Sequence, residues 1–432
     1  MSTIVLKFGG TSVATTELIE SAANIVKSEY DKGNNIVVVV SAMSGATNQL
    51  IEHVDKINYN DDSEYDVVVS SGEQVTAGLM SLALKKIGLP SRSWLGWQVP
   101  IITRGSHRNS FIDKVIPDKI INDFENKKIA VVAGFQGISN EGRITTIGRG
   151  GSDNTAVFIA SAIKAERCDI YTDVDGVYTS DPRMTENVRR LDKISYEEMI
   201  EMASQGAKVL QTASVESAMS NDVDVYVRST FSPSDKGTLI SNDVNNENDR
   251  AVTGVAYSKD EAKITLIDVE DKPGVAAEIF NKLAENSVNV DMIVQNNFIE
   301  RKMTNLTFTI PMIDLDKTLK ILENLQKKLK ISKVLNEKNL SKVSIIGSGM
   351  RNQPGIAAKM FECLSKNKIN IEVISTSEIK ISVLIDKDKT EKAFSVLSLS
   401  IKTLIFISDV EITSILILFL DKHSNIFAAI PG

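Results

Sequence analysis

Ile4-Val5-Leu6-Lys7-Phe8-Gly9-Gly10-Thr11-Ser12 opens the chain with an apolar run that delivers a lysine, a glycine pair and a hydroxyl, and helical spacing begins near Thr15. Glycines carry no Cβ, so a strand ending in Gly-Gly lets backbone N–H groups come close to an anion. Lys7 adds a mobile ammonium at the strand end, and the positive end of the following helix would face the same anion. The stretch predicts a polyphosphate site, with a plain tight turn as the alternative. Its spacing is not that of a P-loop, and it holds no G-x-G-x-x-G.

Outward from this stretch, to about Asn242, short β-rich runs alternate with longer helical ones. Ile4 to Phe8, Asn35 to Val40, Ile129 to Ala133, Ile170 to Thr172 and Val223 to Val227 read as strands. Between them, Leu18, Ala22, Ile25 and Val26, or Ala156, Ile159, Ala160 and Ile163, have helical spacing. Near-continuous Val and Ile runs separated by helices predict an α/β fold, a mostly parallel sheet sandwiched by helices. Ligands of such sheets sit beyond the carboxyl ends of the strands.

The 432 residues exceed what one core normally organises and predict two or three domains. A net charge of -7 with no dense basic block argues against nucleic-acid binding. Two distant cysteines, Cys168 and Cys363, outside any C-x-x-C fit a reducing compartment, and no basic-then-apolar leader is seen, so a cytoplasmic location is expected. His53, His107 and His423 do not cluster, which disfavours a zinc site or a His-based triad.

The polar motifs are read as following strands of the one sheet. After Val37 to Val40 come Ser41-Ala42-Met43-Ser44-Gly45-Ala46-Thr47, whose hydroxyls could line a pocket or simply cap a helix. After Val67 to Val69 come Ser70-Ser71-Gly72-Glu73, with a carboxylate at a helix start. Thr146-Ile147-Gly148-Arg149-Gly150-Gly151-Ser152-Asp153 sets an arginine and an aspartate among glycines just before a helix. An Arg fork fits a carboxylate and Asp153 can meet an ammonium, so this run describes a receptor for an amino acid's α-groups, with an Arg–Asp surface pair as the alternative. Thr172-Asp173-Val174-Asp175-Gly176-Val177-Tyr178 and on to Arg183 is rich in turn residues and carboxylates that could meet a nucleotide, and Lys208 in Gly206-Ala207-Lys208-Val209 could be a further cation.

Farther along, Pro273-Gly274, Ala276-Ala277, Phe280, Leu283, Asn286 and Asn289 recur 81 residues later as Pro354-Gly355, Ala357-Ala358, Phe361, Leu364, Asn367 and Asn370. Strands over Lys263 to Val269, Val288 to Val294 and Met303 to Ile310, with helices near Val275 to Glu285 and Leu315 to Lys328, make each copy a βαββαβ unit. Such a sheet has a face and edges to cover, so pairing with another copy is expected.

Together these motifs resemble the aspartokinases of the amino acid kinase superfamily, and the repeats resemble ACT domains. The resemblance covers residues 1 to about 395. It implies a catalytic domain over 1–245, a first ACT domain over 263–337, a second built from 250–258 plus 342–397, and an atypical apolar tail over 398–432. It further implies ATP-dependent phosphorylation of L-aspartate with Mg²⁺ travelling with ATP, no metal bound by protein side chains, and a homodimer or homotetramer formed through the ACT units. By the same resemblance Lys7, Gly9, Gly10 and Ser12 would hold phosphates, and Thr172, Asp173, Tyr178, Arg183, Lys208 and Val209 the rest of ATP. Ser41, Thr47, Glu73, Arg149, Gly150, Gly151, Ser152 and Asp153 would hold aspartate, with Lys7, Asp153 and Lys208 as the catalytic set. Lysine, with or without threonine, would be sensed by Asp271, Pro273, Gly274, Ala277, Asn289, Val290, Asp291 and Gln295, and by Met350, Gly355, Ile371 and Glu372 in the second unit.

The chain departs from the family at Ala213, where an arginine is common. Past Leu397 the likeness stops, and Leu404 to Ile407 and Ile412 to Leu420 form apolar runs split by Asp409 and Glu411. A carboxylate at a bilayer centre costs roughly 2.5–3.5 kcal/mol and the runs are short, so no membrane span is expected.

Overall fold

The computed structural model describes residues 2–148, 150–206, 209–242, 251–298 and 302–405. Arg149, Lys208 and the apolar runs of the tail beyond 405 lie outside the described residues. The chain divides into two units: the described residues up to Tyr178 and from Arg190 to Asn242 form the first, those from Thr179 to Arg189 and from Ala251 onward the second.

The first unit is organised by an eight-stranded sheet in the order Lys193–Ile194, Thr238–Ile240, Val225–Ser229, Arg167–Thr172, Thr3–Phe8, Asn35–Val40, Ile129–Ala133, Ser91–Trp94. Pairing is parallel except between Val225–Ser229 and Thr238–Ile240. The five strands expected from their Val and Ile runs are all present, because burial of both faces favours continuous apolar sequence: Ile36 to Val40 are all buried. Each fully buried Val or Ile contributes about 1.5–3 kcal/mol, which outweighs any helical preference in so short a run. Ile4, Leu6 and Phe8 share one face with Ile36, Val38 and Val40, under the helices Thr16–Tyr30 and Ser71–Lys86. Strand alternation then sends Lys7 to the opposite face.

Two local expectations fail. Val67–Val69 is helical, within Asp62–Val69, since the Asp61 side chain caps the N–H groups of Ser63 and Glu64 and Asp66 finds buried partners. The run Thr146 to Asp153 follows a strand of a separate four-stranded sheet, ordered Phe111–Val115, Ile101–Arg104, Gln136–Ile138, Ile144–Thr146. Among the described residues one helical run, Asp62–Lys86, is long and apolar enough to cross a membrane. It is a core element, with Ala77, Met80 and Leu84 buried against the sheet.

The second unit is a six-stranded antiparallel sheet, ordered Asp291–Phe298, Met303–Pro311, Gly254–Glu270, Lys333–Ile346, Lys380–Asp386, Val373–Thr376. The two repeats lie side by side in it, and the two central strands run through both. Gly254 to Ser258 pairs with Lys342 to Ile346, and Lys263 to Ile267 with Lys333 to Glu337. One core gathers Ile264, Leu266, Ile279, Leu283, Leu306 and Leu322, the other Val255, Val343, Met360, Leu364, Val383 and Phe394. Segment Thr179–Arg189 belongs here too: Val255 N–H donates to Thr179 O at 2.8 Å, and the Ser180 and Ser398 hydroxyls meet at 2.8 Å.

The last helix runs Thr390–Ile405, past the boundary expected at Leu397, because Leu397 and Ile401 continue its buried stripe. Ile401→Ala is therefore expected to destabilise the unit by about 2–5 kcal/mol. Thermal unfolding monitored by circular dichroism checks this, and an unchanged transition would remove residues past Leu397 from the core.

Candidate active site

Lys7 and Asp153 are brought together by register. Thr3–Phe8 pairs in parallel with both neighbours, Lys7 opposite Val39 and Ile170, and the helix Gly151–Ala162 crosses the face to which Lys7 points. The Lys7 ammonium lies 2.5 Å from the Asp153 carboxylate, both side chains almost wholly buried. A one-residue slip of the strand would turn Lys7 into the apolar core instead.

Around this pair is a cavity of about 170 Å³ lined by Lys7, Ser41, Thr47, Glu73, Phe135, Gly150, Gly151, Ser152 and Asp153. Seven of the eight residues expected to hold the amino acid therefore line one space, and the eighth, Arg149, lies outside the described residues. Gly150 has φ 77°, a conformation that favours glycine, and a Cβ there would sit 2.7 Å from Gln211.

Glu73 lies in the first turn of Ser71–Lys86 and is 3% exposed. Ala42 N–H donates to Oε1 at 3.0 Å, while Oε2 is buried without a partner. Burial pushes this carboxyl up to about 7, against the lowering effect of the backbone bonds. An unpaired, nine-tenths buried carboxylate oxygen beside a cavity is the chemistry that receives an ammonium group.

The strand of Lys7 is followed by a 3₁₀ turn, Gly10–Val13, before the helix that Thr15 caps. Gly9 N–H donates to Tyr171 O at 3.0 Å, and Ser12 is buried with its hydroxyl accepting from Thr230 at 2.6 Å and donating to Tyr171 O at 3.4 Å. These two residues therefore fasten the turn to the neighbouring strand Arg167–Thr172. Thr172 donates to Asp173 at 3.0 Å, and the Tyr178 hydroxyl to Asp175 at 3.0 Å. Arg190, 2.6 Å from Asp235 and 3.6 Å from Asp175, was not singled out from the sequence. Val209 is half-buried; Arg183 is grouped with the second unit, where it folds onto Asp181 at 2.8 Å.

Phe135 was also missed, although it follows the correctly read strand Ile129–Ala133 by only two residues. Among the described residues no group of three or more His, Cys, Asp or Glu could hold a metal ion.

In the second unit the expected effector residues divide. Gly274 and Gly355 each start a helix with positive φ, 97° and 96°. Asp271 N–H donates to Lys302 O, and Pro273, Ala277, Asn289 and Val290 lie on or beside the first repeat's helix, Val275–Glu285. Asp291 pairs with the buried Lys342, and Glu372 with the buried Lys263 at 3.2 Å, so each repeat's acid is neutralised by a lysine on the other's central strand. Met350 and Gly355 do line a cavity, of about 430 Å³, with Arg351, Gln353, Thr376, Ser377 and Glu378; Ile371 is not among its walls. Thr376 stands 81 residues after Gln295, so the repeat itself pointed to it.

A mostly parallel sheet presenting a glycine turn, a buried Lys–Asp pair and an amino-acid-sized cavity fits a small-molecule kinase. The amino acid kinase family profile matches residues 2–229, and ACT domain profiles match 263–330 and 343–399. An aspartate kinase of Stutzerimonas stutzeri is 47% identical over 395 residues, covering 91% of this chain and 95% of the relative. The aspartokinase of Pseudomonas aeruginosa is 47% identical over 396 residues, covering 91% and 96%. Among solved structures, Escherichia coli aspartokinase III in complex with aspartate and ADP superposes with a TM-score of 0.75 at 27% identity, covering 94% of this chain and all of that one. The same protein with lysine and aspartate gives 0.73 at 26%, covering 94% and 99%. The chain belongs to the amino acid kinase family, within its ATP-dependent aspartate kinases.

Proposed function

We propose that this kinase transfers the γ-phosphoryl group of MgATP to the β-carboxylate of L-aspartate, giving 4-phospho-L-aspartate and ADP, the entry step to lysine, threonine and methionine synthesis. The observation that carries the reading is the buried Lys7–Asp153 pair in a cavity that Glu73 also lines. A carboxylate oxygen attacks the γ-phosphorus, the bond to the β,γ-bridging oxygen breaks, and ADP leaves with that electron pair. The attacking carboxyl is already ionised at neutral pH, so no general base is needed; the barrier is charge and alignment. Lys7 neutralises the transferring oxygens and exchanges Asp153 for them as ATP arrives. Glu73 and Asp153 take the aspartate ammonium, and Arg149 its α-carboxylate. Gly9, Gly10 and Ser12 shape the phosphate turn, Thr172, Asp173, Tyr178 and Val209 frame the nucleotide, and Lys208 adds a second cation. Mg²⁺ would come as part of MgATP, bridging phosphate oxygens as is usual for this ion. The test is ADP release with the acyl phosphate trapped as its hydroxamate. Aspartate-dependent hydroxamate formation is expected; equal activity with glutamate, or ADP release without hydroxamate, would overturn the assignment.

The paired ACT domains then act as sensors, with lysine, alone or with threonine, as the inhibitor. A relative crystallised with lysine and the 430 Å³ cavity support this reading. An effector works only by binding a poorly active state better, and typical coupling changes affinity roughly 5–150-fold. Lysine titration is expected to raise the KM for aspartate or lower kcat; if neither moves, lysine is not the effector. The edge strands expose Ile293 and Ile374, 81 residues apart, which supports assembly through these edges. Light scattering should report a dimer or tetramer.

A further inference from the structure

Asp66 is fully buried in the helix Asp62–Val69, and the reaction leaves it without a task. Its carboxylate gathers donors from two distant segments. Arg108 N–H donates to both oxygens at 3.0 and 3.1 Å, the Thr146 hydroxyl donates at 2.5 Å, and His107 Nδ1 lies at 2.6 Å. A carboxylate is costly to bury unless so satisfied, and the same bonds make it a rigid anchor.

The turn that Asp66 holds is seated on the strand leading into the cavity. Ser110 N–H donates to Thr146 O at 3.0 Å and Ser110 bridges to Ile147, while a Cβ on Gly148 would lie 2.1 Å from Asn109 Oδ1. Two residues beyond Gly148 the chain becomes Gly150–Asp153, one wall of the cavity. In the other direction the helix of Asp66 joins Ser71–Lys86 at Ser70, whose C=O accepts from Gln136 Nε2 at 3.0 Å, and Glu73, which also lines the cavity, follows within a turn. Two separate stretches of the cavity lining are thus linked through one buried carboxylate.

We propose that Asp66 is a positioning residue of the amino-acid site: it sets the distance between Glu73 and Gly150–Asp153, and so the affinity for aspartate. The inference rests on the reading of this cavity as the aspartate site. With the anchor released, the site is competent in only a fraction of molecules, and the apparent dissociation constant rises by the inverse of that fraction. Saturating aspartate restores the competent form, so kcat is spared.

In hydroxamate assays of the full chain, Asp66→Asn is expected to raise the KM for aspartate about tenfold or more, with kcat within about threefold and the KM for MgATP within about twofold. Thr146→Val removes one donor and leaves the Arg108 and His107 partners; it should shift the aspartate KM in the same direction by less, and it carries the test if Asp66→Asn fails to fold. An unchanged aspartate KM in the folded variants, or aspartate and MgATP constants rising together, would overturn the proposal. The wild-type arm reports separately on the aspartate reading, because its own turnover with aspartate does not depend on what Asp66 does.

Discussion

Lys7→Ala is expected to lower kcat by about 10²–10³-fold while the KM for aspartate changes only a few-fold. That is the usual cost of removing one preorganised donor aimed at charge that builds in the transition state. The ammonium sits at the end of the central strand, almost wholly buried, so its field would act on transferring oxygens placed beside it with little screening. The substitution also strands Asp153, whose paired cation lies at 2.5 Å, and on the proposed reading would set its charge beside the incoming polyphosphate. Part of the loss is therefore repulsion, and Lys7→Ala/Asp153→Asn should recover some nucleotide affinity without recovering kcat. Steady-state kinetics with a nucleotide-binding titration separates these effects. A kcat within threefold of wild type would remove Lys7 from the chemistry.

The second large effect concerns Glu73. Its carboxyl, pushed up to about 7 by burial, is half protonated near neutral pH in the empty site. An ammonium is held by the carboxylate and not by the acid. The KM for aspartate should accordingly fall as pH rises from about 6 to 8 and level off above the group's own titration. Glu73→Gln should raise that KM by about 10²-fold, as expected for a lost buried charged hydrogen bond, and abolish the pH dependence. The stability consequence has the opposite sign. An acid titrating near 4.5 in the unfolded chain but near 7 in the folded one binds more protons folded. The empty protein should then lose stability as pH rises between those values, and bound aspartate should return it. Thermal melts of wild type and Glu73→Gln across pH 4.5–8 check the sign; parallel curves would contradict the assignment.

How far such a site can be read from sequence depends on whether its parts are local. Ile4 to Phe8 and Asn35 to Val40 are legible because burial on both faces demands unbroken apolar runs. The same logic misleads at Val67 to Val69, where a capped helix with one buried acid carries a β-branched run. The glycine loops name themselves, since close approach admits no Cβ, and the 81-residue repeat exposes the second unit's plan without any structure. The tie from Asp66 to His107 and Thr146 spans 41 and 80 residues with no spacing rule, and only folding brings it together. The expected acids Asp291 and Glu372 look free in sequence because the lysines that neutralise them sit on strands of the other repeat.

The sharing of the two long central strands also sets an order of assembly during synthesis. Gly254 to Ser258 leaves the ribosome before the first repeat, yet its partners, Lys342 to Ile346, come after it. At roughly 5–20 residues per second, the waiting segment, with buried Val255 and Ala256 at its centre, stays uncovered for about 5–18 s. The first repeat can close its core meanwhile, but the second cannot finish until Ile401 has emerged. A message broken near residue 389 would keep that strand pair but lose the helix Thr390–Ile405, leaving Val255, Val343 and Val383 without the Phe394, Leu397 and Ile401 side chains that cover them, so solubility of the second unit depends on its last helix being made.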